Sequence, residues 1–144
     1  MKFVPYLPEH FTQIAEKSLE KYVTGNVEVT AQSHCYYPST TVTTDDGDVL
    51  ACFGVTPLWE NVATVWVIFS EDIKKYGMQT YRGTKAFFEQ QLKSNFHRIE
   101  CYVIEGNDKA RKFIETFGFT CEAEMKKYTP DARTAYLYSR VRDE

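Results

Sequence analysis

The chain of 144 residues is 43% hydrophobic and 26% charged, the make-up of an ordinary folded domain long enough to bury a core, which excludes a disordered chain. A net charge of −3 and a pI of about 5.7 give no electrostatic ground for nucleic-acid binding. No apolar run approaches the roughly 20 residues that a bilayer requires, and the start MKFVPYLPEHF has neither an apolar leader core nor a cleavage site, so the expectation is a soluble cytoplasmic protein of one domain, 1–144.

Residues 2–6 read as a short strand. Pro8 then opens a helix whose face is Phe11, Ile14, Ala15 and Leu19, running to about Tyr22, and 24–32 reads as loop or edge structure. The β-branched run 40–44 meets a hairpin turn at Asp45-Asp46-Gly47, and 49–55 resumes as a strand. Pro57-Leu58-Trp59-Glu60-Asn61 makes the next connection. Residues 62–69 are apolar at nearly every position, the mark of a strand covered on both faces in the middle of a sheet.

A helix follows over 78–93, weakened by Gly83. Residues 99–104 form the next strand. A helix over 107–117 carries Ala110, Phe113, Ile114 and Phe117 on one face, with Gly118 as its C-terminal cap. Strands over 119–128 and 134–140 then make a hairpin across Thr129-Pro130-Asp131-Ala132. The sum is a mixed α/β (α+β) fold: a central mixed sheet of about seven strands with helices on both faces. Cys35, Cys52, Cys101 and Cys121 lack a CxxC pairing and sit in strand-like surroundings, so buried free thiols are expected, with no metal site.

Two segments bear chemistry. In VIEGNDKARKFIETFGFTCEAE a strand gives way to a helix at Gly106-Asn107, which sets a positive helix end at the carboxyl edge of the sheet. Asn107 there is either an N-cap or a hydrogen-bonding partner for an amide-bearing ligand. FSEDIKKYGMQ joins the central strand to the next helix, where anion sites arise in open α/β sheets; Lys74, Lys75 and Gly77 offer a phosphate two cations and a close backbone, or else form a solvated helix entry.

Together these segments resemble the GNAT superfamily, the acetyl-CoA-dependent N-acetyltransferases related to Gcn5. The resemblance covers most of residues 49–140. The family's late motif reads here as Asn107, Ala110, Phe113-Ile114 and Gly118-Phe119. Its pyrophosphate loop falls on Lys74, Gly77 and Gln79, and Gln79 is bulky where the backbone should meet a phosphate oxygen.

The resemblance implies acetyl-CoA as co-substrate, an amine as acceptor, and a slot for pantetheine between the strands 62–69 and 99–104. Val67, Phe69, Lys74, Lys75, Gly77, Gln79, Asn107, Ala110 and Phe113 are then the cofactor-binding residues. Many family members carry a tyrosine that protonates the leaving thiolate, and Ile114 stands at that position. Tyr128, Tyr102 and Tyr36 are alternative acids by residue type. Glu60 and Glu100 are candidate bases or surface carboxylates, and Glu122 and Glu124 are expected to face solvent. His34 and His97 have suitable intrinsic pKa values but unsuitable or undefined positions.

Trp66 in the central strand, the segment FHRIECYVIEGNDKARKFIETFGF and the tail EMKKYTPDARTAYLYSRV are also similar to short GNAT-like proteins of tailed bacteriophages. That implies an alternative: a catalytically inactive protein acting in virion assembly or host-protein interaction, in the host cytoplasm or the virion. Tyrosines within 136–138 would suit a homodimer.

Overall fold

The computed structural model describes residues 1–15 and 27–143. Its strands are β1 (Lys2–Pro5), β2 (Ser39–Thr43), β3 (Val49–Trp59), β4 (Val62–Phe69), β5 (Arg98–Ile104), β6 (Thr120–Met125) and β7 (Ala135–Val141). They form one seven-stranded sheet in the order β1-β2-β3-β4-β5-β7-β6, with β4 parallel to β5. The apolar run 62–69 is thus the middle strand, as its composition requires. The α-helices are α1 (Pro8–Ala15), α2 (Val27–Ser33), α3 (Gly77–Ser94) and α4 (Asp108–Thr116). The chain divides into two compact units: Met1–Thr56 with Val65–Phe87, and Pro57–Thr64 with Phe88–Glu144.

In the first unit, period-two alternation along β4 supplies two cores. Trp66 and Ile68 turn toward α1 and α2, joining Tyr6, Phe11, Ile14, Ala31 and Cys52. Val67 and Phe69 turn the other way, packing with Phe53, Ile73 and Phe87. The Tyr6 hydroxyl donates to the Ala31 carbonyl at 2.8 Å, and burial pushes its pKa up. Gly54 lies under Trp66. A Cβ there would come within 2.7 Å of the Pro38 carbonyl oxygen and 3.0 Å of Trp66 Cε2, so the close approach requires glycine. Gly83 has a similar role, since a Cβ on it would lie 2.0 Å from the Phe3 ring.

Two readings need correction. Part of 24–32 is helical as α2, because Ala31, 1% exposed, is held in the core and tertiary packing overrides the weak helix propensity of VEVTAQS. β3 does not stop at residue 55. It continues through Pro57 to Trp59, and the turn is Glu60-Asn61 with Asn61 in the left-handed region (φ 65). The described pairs of β2 with β3 end at Ser39↔Gly54, so a proline at 57 removes no bond from that ladder. The portion of the first helix expected beyond Ala15 lies outside the described residues.

In the second unit, Phe88 contacts Phe117 and Phe119 edge-on at 5.4 and 5.5 Å between ring centroids. Gly118 (φ 84) ends α4 as its sequence position implies, its N–H donating to the Glu115 carbonyl. β6 is shorter than expected, spanning Thr120–Met125, and five of its six residues are exposed. Arg98 bridges β5 to β6, with both guanidinium nitrogens on the Glu122 carboxylate at 2.8 and 2.7 Å. Glu122 is exposed, as expected, and also forms an ion pair.

All four cysteines are free, but only Cys52 is buried; Cys35 and Cys121 are exposed and Cys101 is half-buried. Cys121 lies on β6, where five of six residues are exposed, and Cys35 lies in a 3-10 helix, His34–Tyr36, rather than on a strand. Tyr138 is also not exposed: it is 5% accessible and its hydroxyl donates to Glu115 Oε1 at 3.2 Å, which removes it from a dimer surface.

Candidate functional site

The carboxyl end of β4 leads through Ser70 into a 3-10 helix, Glu71–Tyr76, which runs directly into α3. The expected open loop is therefore a helical turn. No glycine interrupts Glu71–Tyr76, and Ile73 packs into the core. Lys74 and Lys75 sit in its last turn and are exposed. Lys75 Nζ lies 3.8 Å from Asp72 Oδ1. Gly77 opens the 18-residue α3 in helical conformation (φ −51, ψ −48), with nothing within 4 Å of where a Cβ would stand. Gln79 is exposed in the same turn. The side chains of Val67 and Phe69 point into the core, so only their backbone is offered at the strand edge.

On β5 and α4 the late-motif residues take defined positions. Asn107 Oδ1 accepts from the Ala110 N–H at 3.1 Å, so it caps α4. Phe113 contacts Phe117 at 4.9 Å between ring centroids, and Ala110 is half-buried. Ile114 is 4% exposed, an apolar core side chain where a proton donor was sought. A cavity of about 410 Å³ adjoins the β5–α4 turn, lined in part by Asn107, Arg111, Cys121 and Tyr136.

The partner pairs of β4 and β5 are Val62↔Arg98, Ala63↔Ile99 and Thr64↔Glu100. The Thr64 hydroxyl donates to the Glu100 carbonyl at 3.1 Å. β4 runs on to Phe69 and β5 to Ile104. From Glu100 to Ile104, β5 is paired with β7.

The candidate acids and bases are not brought together. Glu60 is exposed in the β3–β4 turn. Glu100 Oε2 accepts from Arg98 Nη2 at 2.7 Å, which occupies the oxygen that a base would use. Tyr128 is 49% exposed and packs edge-on against Tyr102 at 5.1 Å. His97 precedes β5, its N–H donating to the Asn61 carbonyl. His34 stacks on Trp66 at 3.7 Å with 13° between the planes, and burial drives its pKa down to about 4, so it is neutral at pH 7. His34 Nδ1 and Trp66 Nε1 are both buried without a hydrogen-bond partner.

Sequence reasoning missed this stack and the orphan hydroxyl of Ser70. A serine directly before a helical turn was the available signal for Ser70. Among the described residues no three His, Cys, Asp or Glu side chains converge as a metal site.

Comparison with solved structures settles the architecture. Ard1 from Thermoplasma volcanium superposes with a TM-score of 0.82 at 16% identity, covering 99% of this chain and 98% of its own. The chain has the GNAT fold. An acetyltransferase of the GNAT family from Bacillus anthracis matches with a TM-score of 0.77 at 13% identity over 99% and 95% of the two chains. The ribosomal-protein-S18-alanine N-acetyltransferase of Escherichia coli matches at 0.74 and 16% identity over 99% and 94%. The sequence matches no protein-family model and no curated protein. On the GNAT fold, β4 and β5 are the parallel pair, and the strand-to-helix turns that follow them carry the Lys74–Gln79 and Asn107 segments.

Proposed function

We propose that this protein binds acyl-CoA and transfers the acyl group to an amine. The observation that carries the reading is the β4 edge. The described β5 partners of β4 are Val62, Ala63 and Thr64, and on this reading a pantetheine arm would lie along the backbone of residues 65–68 as an added strand does. Gly77 supports it. Glycine costs roughly 0.5–1 kcal/mol against alanine in a helix, and neither its backbone conformation nor its packing calls for glycine. A phosphate approaching the positive end of α3, with Lys74 and Lys75 beside it, gives that residue a purpose.

In the transfer, the neutral amine nitrogen attacks the thioester carbonyl carbon and the C–S bond breaks. The oxyanion formed on the way is held by a β4 backbone N–H, and the sulfur leaves as a thiolate that takes up a proton. The ammonium proton and the thiolate proton pass through water. We place this activity in the cytoplasm. No helix among the described residues is long and apolar enough to cross a membrane.

A second reading is favoured by one observation, the buried apolar Ile114. In it the GNAT fold persists without turnover, in a bacteriophage protein of virion assembly or host-protein contact. Thermal denaturation with acetyl-CoA separates the readings. Ligand at ~100 times its Kd adds about 2.7 kcal/mol, a rise of about 8 °C for a chain of this size. No shift with acetyl-CoA or CoA refutes acyl-CoA binding. A shift without thiol release on a panel of amines leaves binding and refutes transfer.

A further inference from the structure

Within the second unit, the loop between β6 and β7 is fastened to the turn between β5 and α4. Three hydrogen bonds on Glu105 make the fastening. Its N–H donates to the Thr134 carbonyl at 2.8 Å, its Oε1 accepts the Thr134 N–H at 3.1 Å, and its carbonyl accepts from Arg133 Nη2 at 2.7 Å. The guanidinium lies across the turn: a Cβ built on Gly106, in the left-handed region at φ 85, would stand 3.3 Å from Arg133 Nη2. Asn107 follows and organises the start of α4. Its N–H donates to the Ile104 carbonyl, its Oδ1 accepts the Ala110 N–H, and its carbonyl accepts the Arg111 N–H, each at 3.1 Å.

The loop is held to one shape. Lys127 and Ala132, neither of them glycine, sit in the left-handed region at φ 54 and 64. Backbone of that kind persists only where its surroundings over-determine it. Hydrogen bonds do so here. The Tyr128 N–H donates to the Arg133 carbonyl, the Ala132 N–H to the Thr129 carbonyl and the Arg133 N–H to Thr129 Oγ1, each at 2.9 Å. The Tyr128 ring also packs edge-on against Tyr102 of β5 at 5.1 Å. Glu105 and Gly106 are exposed, so burial does little to fix the turn, and directed bonds from the loop take that part.

We infer that the β6–β7 loop is a clasp that sets the β5–α4 turn, with Arg133 and Glu105 as positioning residues for Asn107. The clasp itself needs no ligand. Its consequence for binding rests on the acyl-CoA reading, in which Asn107 and Ala110 stand beside the cofactor. A turn released from Arg133 presents the Asn107 side chain in many arrangements rather than one, and affinity falls. Both residues act through Asn107, and neither touches the reacting atoms.

The test uses the full chain in two arms. In the first, amide hydrogen exchange is followed by proton–nitrogen correlation spectra without ligand. Arg133→Ala is expected to speed exchange about tenfold at Asn107, Ala110 and Arg111, the loss expected for one hydrogen bond from a charged group. Phe117 and Gly118, at the far end of α4, should stay within about twofold of wild type. Arg133→Lys keeps a charged donor and should lie near wild type. Lys126→Ala, a change of an exposed side chain in the same loop, should do the same. In the second arm the same proteins are titrated with acetyl-CoA. Arg133→Ala is expected to raise the Kd about tenfold, while Arg133→Lys and Lys126→Ala hold it.

Glu105→Ala, at an exposed position, removes the acceptor of the Thr134 N–H and should speed exchange at the same amides; it decides the first arm if Arg133→Ala does not fold. Unchanged exchange over 107–111, or a rise spread evenly along α4 to Gly118, overturns the clasp. Faster exchange at the turn with an unchanged Kd overturns the role in ligand binding. A wild-type chain that binds no acetyl-CoA refutes the acyl-CoA reading and that role with it, while the exchange arm still decides the clasp.

Discussion

Replacing Gly54 by alanine tests the packing of β3 beneath Trp66. The new methyl would sit 2.7 Å from the Pro38 carbonyl oxygen, 2.9 Å from Ser39 Cβ and 3.0 Å from Trp66 Cε2, all inside ordinary van der Waals contact. Pro38 O cannot retreat freely, because it accepts the Val55 N–H at 3.0 Å. Overpacking of this kind costs about 1–3 kcal/mol, against roughly 0.4–1 kcal/mol gained by restricting the unfolded chain. The net expectation is a loss of about 1 kcal/mol and a melting temperature lower by about 3 °C. Urea denaturation followed by tryptophan fluorescence reads it directly. Trp59 is 69% exposed, so the change on unfolding reports mainly Trp66. Gly77→Ala is the matched control. Its Cβ meets open space in helical backbone, and it should gain about 0.5–1 kcal/mol. A Gly54→Ala protein as stable as wild type, or more so, would refute the close approach.

Three further outcomes are expected. Arg98, with help from the Ser139 hydroxyl, holds the Glu122 carboxyl down at about 2 against an ordinary 4.5. Its contribution is therefore complete above pH 4.5 and is lost as the pH falls toward 2. The advantage of wild type over Glu122→Gln, about 1 kcal/mol at pH 7 for a pair this exposed, should vanish in urea titrations at pH 2. His34, held neutral by burial with a pKa of about 4 against 6.5, contributes stability that is whole above pH 6.5 and lost toward pH 4. His34→Phe keeps a ring on Trp66 and should flatten that part of the stability–pH curve; an unchanged slope would contradict the burial. Asn107→Ala removes the cap on α4 and should lower stability by about 1 kcal/mol, and a fall in acetyl-CoA affinity beyond that seen at a control cap would give the residue a ligand contact as well.

The elements that sequence reading placed best are those whose periodicity is strong and whose ends carry chemistry of their own. The central strand 62–69, the helix closed by Gly118 and the hairpin at Asp45-Asp46-Gly47 each announce themselves locally. What stayed hidden depends on residues far apart in the chain. α2 is polar and β-branched, and it is held in place by distant residues: Ala31 is buried in one cluster with Tyr6, whose hydroxyl donates to the Ala31 carbonyl. The extension of β3 through Pro57 follows from where β2 ends, which no residue of β3 encodes. The same limit applied to function. Asn107, Gly77 and Ile114 were legible from motif spacing, whereas the bonds on Glu105 from Arg133 and Thr134 join residues 28 and 29 positions apart.

Under the proposed acyl-CoA reading, the site divides physically. Groups that bind through backbone N–H donors and helix ends depend little on side-chain identity, so sequences near 16% identity can keep them. In the proposed acyl-CoA site, the β4 edge, the start of α3 and the capped α4 would be of that kind. General acids and bases require a particular side chain at a particular point, and there this chain differs. Ile114 is buried and apolar, the Glu100 oxygen nearest Arg98 is occupied, and His34 is stacked on an indole with its proton affinity suppressed. On the proposed reading, cofactor binding and turnover are for that reason separable, and affinity for acetyl-CoA would by itself be evidence for the backbone half of the proposed site alone.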